Sequence, residues 1–196
     1  MESIETFDVD GYRVQIVYDN DADDPRSWDN LGKMVCFHKK YKLGDKHHFD
    51  ADDYDGWEDM KEHIINLEDA CVILPLYLYD HSGITISTTP FNDRWDSGQV
   101  GWIYATRKDV IDWKLATKNI TASVKDTVNK ILESEVKTYD KYITGEVYKY
   151  FVYKIETCSL GDEHLSFVDS CGGYYDIEDC KIEATDYINS VKFESA

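Results

Sequence analysis

Residues 71–79, CVILPLYLY, are apolar at both alternations of an extended chain. A strand with two apolar faces belongs inside a sheet covered on both sides, since water on either face would leave its leucines and tyrosines exposed. Pro75 lies in its middle and has no backbone N–H, which predicts a bulge or a gap in the ladder there. The other candidate strands have one wet face or are short. YRVQIVYD (12–19) sets Tyr12, Val14, Ile16 and Tyr18 against Arg13, Gln15 and Val17. KMVCFH (33–38), GITIS (83–87) and VGWIYA (100–105) read as short strands. EVYKYFVYKIETC (146–158) and HLSFVDSC (164–171) read as a hairpin around SLGDE.

Helical periods fall between these strands. Asp55-x-x-Glu58 reads as a capping box, with Trp57, Met60, Ile64 and Leu67 following at helical spacing. Thr106-x-x-Asp109 and Ser123-x-x-Asp126 predict two more starts. The second opens a stripe of Val124, Val128, Ile131, Leu132, Val136, Tyr139 and Ile143 that Gly145 ends. Ile177, Cys180, Ala184, Tyr187, Ile188 and Val191 mark a terminal helix. This order is not a βαβ alternation. It predicts an α+β fold, a mostly antiparallel sheet with three to four helices packed against it. The length fits a single domain over 1–196, with 107–144 as a candidate helical insertion.

Charge bounds the function. With 21 basic and 39 acidic residues the chain carries −18, a field that repels nucleic acid and anionic membrane and attracts basic surfaces. The acidity is uneven: residues 1–69 carry −11 and 145–196 carry −7, whereas 107–144 carry +2, which is why that segment stands out as a candidate insertion. Five cysteines with no CxxC pair argue against a zinc ribbon or a disulfide scaffold, and Cys71 and Cys180 read as core thiols. MESIETFDVD has neither the basic start nor the apolar run of an export signal. No apolar stretch reaches the roughly 18 residues of a spanning helix. The expectation is a protein of a reducing cytosol that makes no membrane contact.

Several constellations compete for the chemistry. DNDADDPRSWDN (19–30) crowds Asp19, Asp21, Asp23, Asp24 and Asp29 into one loop, but an EF-hand reading fails. Asp24 stands where glycine is needed and Asn30 where the last glutamate is needed. The loop reads as turn-rich and anchored by Trp28, with an irregular hard-cation site as the alternative. His38, His47, His48 and His81 accompany Asp45, Asp80 and Asp96 without HExxH spacing, and Asp80-His81-Ser82-Gly83 lacks the nucleophile elbow. No phosphate-binding glycine motif is present, and no cofactor or catalytic residue is assigned. The acidic segments are the strongest pattern. Asp50, Asp52, Asp53, Asp55, Glu58, Asp59 and Glu62 form one run, and Asp176, Glu178, Asp179, Glu183 and Asp186 repeat it on the last helix. Carboxylates one helical turn apart approximate a row of phosphates.

Four blocks, PRSWDNLGKMVCFHKKYKLGD (25–45), HSGITISTTPFNDRWDSGQVGWIY (81–104), YDKYITGEVY (139–148) and DSCGGYY (169–175), together resemble a family of uncharacterised acidic proteins encoded by bacteriophages and other mobile elements. The resemblance implies a viral protein made in the cytoplasm of an infected cell, and by analogy a role against host defence. Two readings stay open. In the first, the acidic segments bind a basic host protein such as a defence nuclease, in a CRISPR effector or a restriction enzyme, by nucleic-acid mimicry, without binding nucleic acid directly. In the second, Arg26, Asp29, His38, Asp45, His81, Arg94 and Asp96 line the pocket of a metal-dependent enzyme or a nucleotide-sequestering protein. The tryptophan–aspartate words at 28–29 and 95–96 are read either as tight turns whose tryptophan plugs the core or as part of that pocket.

Overall fold

The computed structural model describes residues 3–195. In chain order its elements are β1 (Glu5–Val9), β2 (Tyr12–Tyr18), β3 (Lys33–Cys36), α1 (Trp57–Leu67), β4 (Ala70–Asp80), β5 (Ile84–Ser87), β6 (Ser97–Thr106), α2 (Arg107–Asp112), α3 (Ala122–Thr144), β7 (Tyr148–Thr157), β8 (Glu163–Tyr174) and α4 (Ile177–Ser195). The fold is α+β with antiparallel pairing throughout. The strands form two four-stranded sheets. The chain divides into two compact units, a terminal one of Met1–Asp23 with Gly145–Ala196 and a central one of Asp24–Thr144.

The central unit holds a sheet in the order β3–β6–β4–β5. The two-faced apolar strand is β4, and it lies inside the sheet. On one face Leu76, Leu78, Ile86 and Ile103 pack with Val128, Leu132, Val136 and Tyr139 of α3. On the other, Met60 and Ile64 of α1 pack with Val35, Phe49, Trp102 and Tyr104. The candidate insertion 107–144 thus contributes to this core through Val110 and the α3 stripe. Each fully buried leucine or isoleucine stabilises by about 1.5–3 kcal/mol relative to exposure. The β4–β6 register shifts between Leu76 and Tyr77, beside Pro75. β5 pairs with β4 only over Tyr77–Asp80, so at Pro75 β4 has a strand on one side alone.

β3 and β6 approach closely at Gly101. A Cβ there would lie 1.9 Å from the Val35 carbonyl oxygen. Gly101→Ala is expected to cost about 1–3 kcal/mol or more, because the obstacle is backbone. Thermal melting beside the parent protein measures it.

Three helix details depart from the sequence reading. Glu58 makes no capping box: α1 has Gly56 at its N-cap, and Asp59 instead accepts from Asp55 N at 3.1 Å. Leu67 is exposed, since it falls at the end of the helix beyond the buried pair Met60 and Ile64. Ser123 lies inside α3, whose first turn is held by Thr121 Oγ1 accepting from Val124 N at 3.3 Å. The box at Thr106 and Asp109 does form. Burial raises the Asp109 carboxyl, but the Thr106 hydroxyl and amide and the Lys33 ammonium outweigh it and hold the pKa below the ordinary value. A lowered folded-state pKa stabilises above the carboxylate range and loses that contribution as pH falls through it. Asp109→Asn should therefore cost roughly 1 kcal/mol at neutral pH, and the deficit should shrink on acidification in urea titrations.

The terminal unit has the order β1–β2–β7–β8 with α4 across one face. Cys180, Ala184 and Ile188 of α4 are fully buried against Val14, Ile16, Tyr150 and Val152. β1 was not anticipated. Asp10 and Gly11 both take positive φ, 53° and 83°, the geometry of a tight hairpin turn that twists with its strands. No helix among the described residues is long and apolar enough to cross a membrane.

Candidate functional site

The acidic segments expose all twelve carboxylates assigned to them. On the central unit, the run at 50–62 follows a 3₁₀ turn at Ala51–Asp53 into α1. Asp50 accepts from Asp52 N at 3.1 Å, and Glu58 pairs with Lys61 at 2.7 Å. On the terminal unit, Asp176 precedes α4 and accepts from Glu178 N at 2.9 Å, and Asp179, Glu183 and Asp186 fall at spacings of four and three on the side of α4 away from Cys180, Ala184 and Ile188. That stripe is about 10 Å long at roughly 1.5 Å per residue. Charge is divided unequally: the terminal unit has 5 basic and 18 acidic residues, −13, and the central unit 16 and 21, −5.

A broad groove of about 1410 Å³ opens in the central unit. One wall is the connection after β3, residues 36–47. The other is 95–100 at the start of β6, with Leu78 and Asp80 of β4 between them in sequence. His38 stacks on Tyr41, ring centroids 4.9 Å apart, and its Nδ1 accepts from Lys40 N and Tyr41 N, which leaves the ring proton on Nε2. Tyr41 donates its hydroxyl hydrogen to Asp80 at 3.1 Å, and Lys40 reaches the same carboxylate at 3.3 Å. His47 bonds the Cys36 carbonyl through Nε2 at 3.0 Å, while its Nδ1 is buried without a partner. Trp95 lines the groove and is 94% exposed. Burial pushes the Cys36 thiol up to about 12, which removes it as a nucleophile at neutral pH.

The structure sorts the pocket reading residue by residue. Arg26 is buried: its side chain is 4% exposed and forks onto Asp45 at 2.8 and 2.9 Å, reaches Glu135 at 3.1 Å and donates to Gly32 O at 2.6 Å. Burial opposes the Arg26 charge, but the two carboxylates outweigh it and raise the pKa. Burial also raises Glu135, against Arg26 and the Gly32 and Leu31 amides. Arg26 is therefore an internal tie. Asp29 and Arg94 are exposed and do not line the groove. His38, Asp45 and Asp96 do line it, and His81 bonds Asp96 at 2.9 Å. Among the described residues no three His, Cys, Asp or Glu side chains are grouped to hold a metal.

The 19–30 loop is anchored differently from its reading. Trp28 is 48% exposed, and Pro25 and Arg26 are the buried residues. Asp24 caps the turn, accepting from Arg26 N at 2.8 Å. Asp19 serves the terminal unit, accepting from Gly173 N at 2.9 Å. Trp95 plugs no core either: Asp93, not Asp96, holds its turn, through the amides of Trp95 and Asp96. The other motif blocks build structure. Tyr139 accepts from Gly44 N at 3.0 Å, and Asp140 accepts from Thr85 Oγ1 and Ile86 N at 2.7 Å each, satisfying the edge strand β5. Gly172 leaves room for Asp19, whose carboxylate would lie 2.2 Å from a Cβ there.

Compared with protein-family models, curated proteins and solved structures, the chain matches none.

Proposed function

We propose that the chain is an acidic inhibitor of a bacteriophage or other mobile element, acting in the cytoplasm of the infected host cell. Its partner is a basic nucleic-acid-handling defence protein, an RNA-guided nuclease or a restriction enzyme, and it occupies the groove where that partner takes nucleic acid. The observation that carries this reading is that none of the twelve carboxylates is spent on the core: each stands in solvent. Exposed carboxylates, several of them spaced by helical turns, offer a lysine- and arginine-lined channel the charge pattern it expects from a phosphate chain. The motif blocks of the central unit and the Arg26 tie then serve to hold the fold that carries the 50–62 array.

The test is cleavage of duplex DNA by a purified RNA-guided nuclease and a purified restriction enzyme, with the protein added in increasing amounts. Inhibition of one of them, relieved by excess DNA, is the expected result. Affinity should fall about tenfold or more between about 50 mM and 200 mM salt, as for a competitor that replaces phosphates. Inhibition unaffected by salt, or activity of both enzymes untouched, refutes the proposal.

A further inference from the structure

We propose that the central groove binds a nucleotide, its phosphates held by Lys39, Lys42 and Lys46 and its base laid against Trp95. The argument starts from which charges in the groove are already committed. Four carboxylates line it, and each has a partner: Asp24 caps its turn, Asp45 holds Arg26, Asp80 takes Lys40 and Tyr41, and Asp96 takes His81. Four lysines line it, and only Lys40 has a carboxylate partner among the described residues. Lys39, Lys42 and Lys46 are exposed and in no ion pair among the described residues, so three ammonium groups stand ready for an anion, although the four lysines and four aspartates of the lining balance in formal charge.

An indole exposed to 94% has no structural use where it stands. Its turn is held by Asp93, and its ring contributes nothing to a core. Beside phosphate-binding lysines, an open aromatic face is what a nucleobase stacks on. The volume exceeds that of ordinary small-molecule pockets, so a nucleoside triphosphate or a dinucleotide fits within it. A long strand would run out of the groove toward the acidic run at 50–62, whose Ala51 lines the groove. A short ligand keeps its phosphates within about one Debye length of the three lysines that have no carboxylate partner among the described residues. Apart from Lys46 and His47, the two walls come from the 25–45 and 81–104 motif blocks, whose wording charge mimicry alone does not require.

Isothermal titration with the four ribonucleoside triphosphates, inorganic triphosphate and a twelve-residue thymidine oligonucleotide tests this, using the whole chain. At least one nucleotide should bind more tightly than triphosphate alone. The Lys39→Glu, Lys42→Glu, Lys46→Glu triple variant should weaken it by about 100-fold or more, since each charge-assisted contact is worth on the order of tenfold. Trp95→Ala should weaken the nucleotide by about tenfold and leave triphosphate unchanged. All four substituted side chains are exposed, and unchanged melting curves confirm that the fold is kept. Three results overturn the proposal: no heat from any nucleotide, binding indifferent to the triple variant, or an oligonucleotide that outcompetes every nucleotide. None of these touches the acidic arrays, so the inference fails or stands apart from the inhibitor reading.

Discussion

Arg26→Ala is expected to lower stability by about 3–5 kcal/mol, the cost of removing one partner from a buried ion pair. The guanidinium neutralises two carboxylates at once and donates to the Gly32 carbonyl. Without it Asp45 and Glu135 face each other's charge, Glu135 in a setting only 11% exposed. Glu135 also receives the amides of Leu31 and Gly32, and Asp45 receives Met34 N at 2.7 Å. The loss therefore spreads to the start of β3 and to α3. A domain has only about 5–15 kcal/mol in hand, so the variant should be largely unfolded or melt far below the parent. Arg26→Lys should not rescue it, because an ammonium cannot bridge Asp45 with two parallel bonds and still reach Glu135. Urea midpoints for Arg26→Ala, Glu135→Gln and the double variant measure the coupling. A double variant no worse than the worse single one identifies the pair as a unit. Additive losses would show that the two side chains act independently.

The parts of the fold legible in the sequence were those where period and length agreed. β4 was readable because nine apolar residues exclude a wet face, and α3 because its stripe runs for more than five turns before Gly145. The division of strands into two sheets was not readable, because alternation specifies a strand and not its neighbour. β1 does carry a signal in the sequence, the Asp10-Gly11 turn between alternating residues. The core-plug reading of tryptophan fails at both of its motif sites, while the pocket alternative holds at 95–96, where Trp95 and Asp96 line the groove. A large aromatic beside an aspartate is ordinarily buried, whereas Trp95 lies in solvent and Arg26, a cation, takes the interior. Sequence statistics place arginine outside; contacts with Asp45, 19 residues on, and Glu135, 109 residues on, reverse that. The groove lysines were hidden by averaging. Residues 33–46 carry five lysines and one aspartate, but they sit in a third of the chain that sums to −11.

Reversing charge on the central acidic array should abolish inhibition and leave the fold intact, provided the positions avoid residues that also shape it. Asp59 is unsuitable because it accepts from Asp55 N at the start of α1. Glu58 is paired with Lys61, and Asp50 caps the 3₁₀ turn. Asp52, Asp53, Asp55 and Glu62 are exposed, and their side chains bond nothing among the described residues. Lysine at those four places moves the chain from −18 to −10 and turns the array from a phosphate-like strip into a basic one. Like charges then face each other across the interface with the cationic partner. Each such contact costs enough to lose on the order of tenfold, so the quadruple variant should inhibit at least about 100-fold less well. Stability should hold or rise slightly, since fewer carboxylates repel one another. A matching set on α4, Asp179, Glu183 and Asp186 to lysine, separates the contributions of the two units. Loss from both sets means that the partner reads both arrays. Loss from one alone confines the interface to that unit, and full inhibition by both variants leaves the acidic surface without a role in binding.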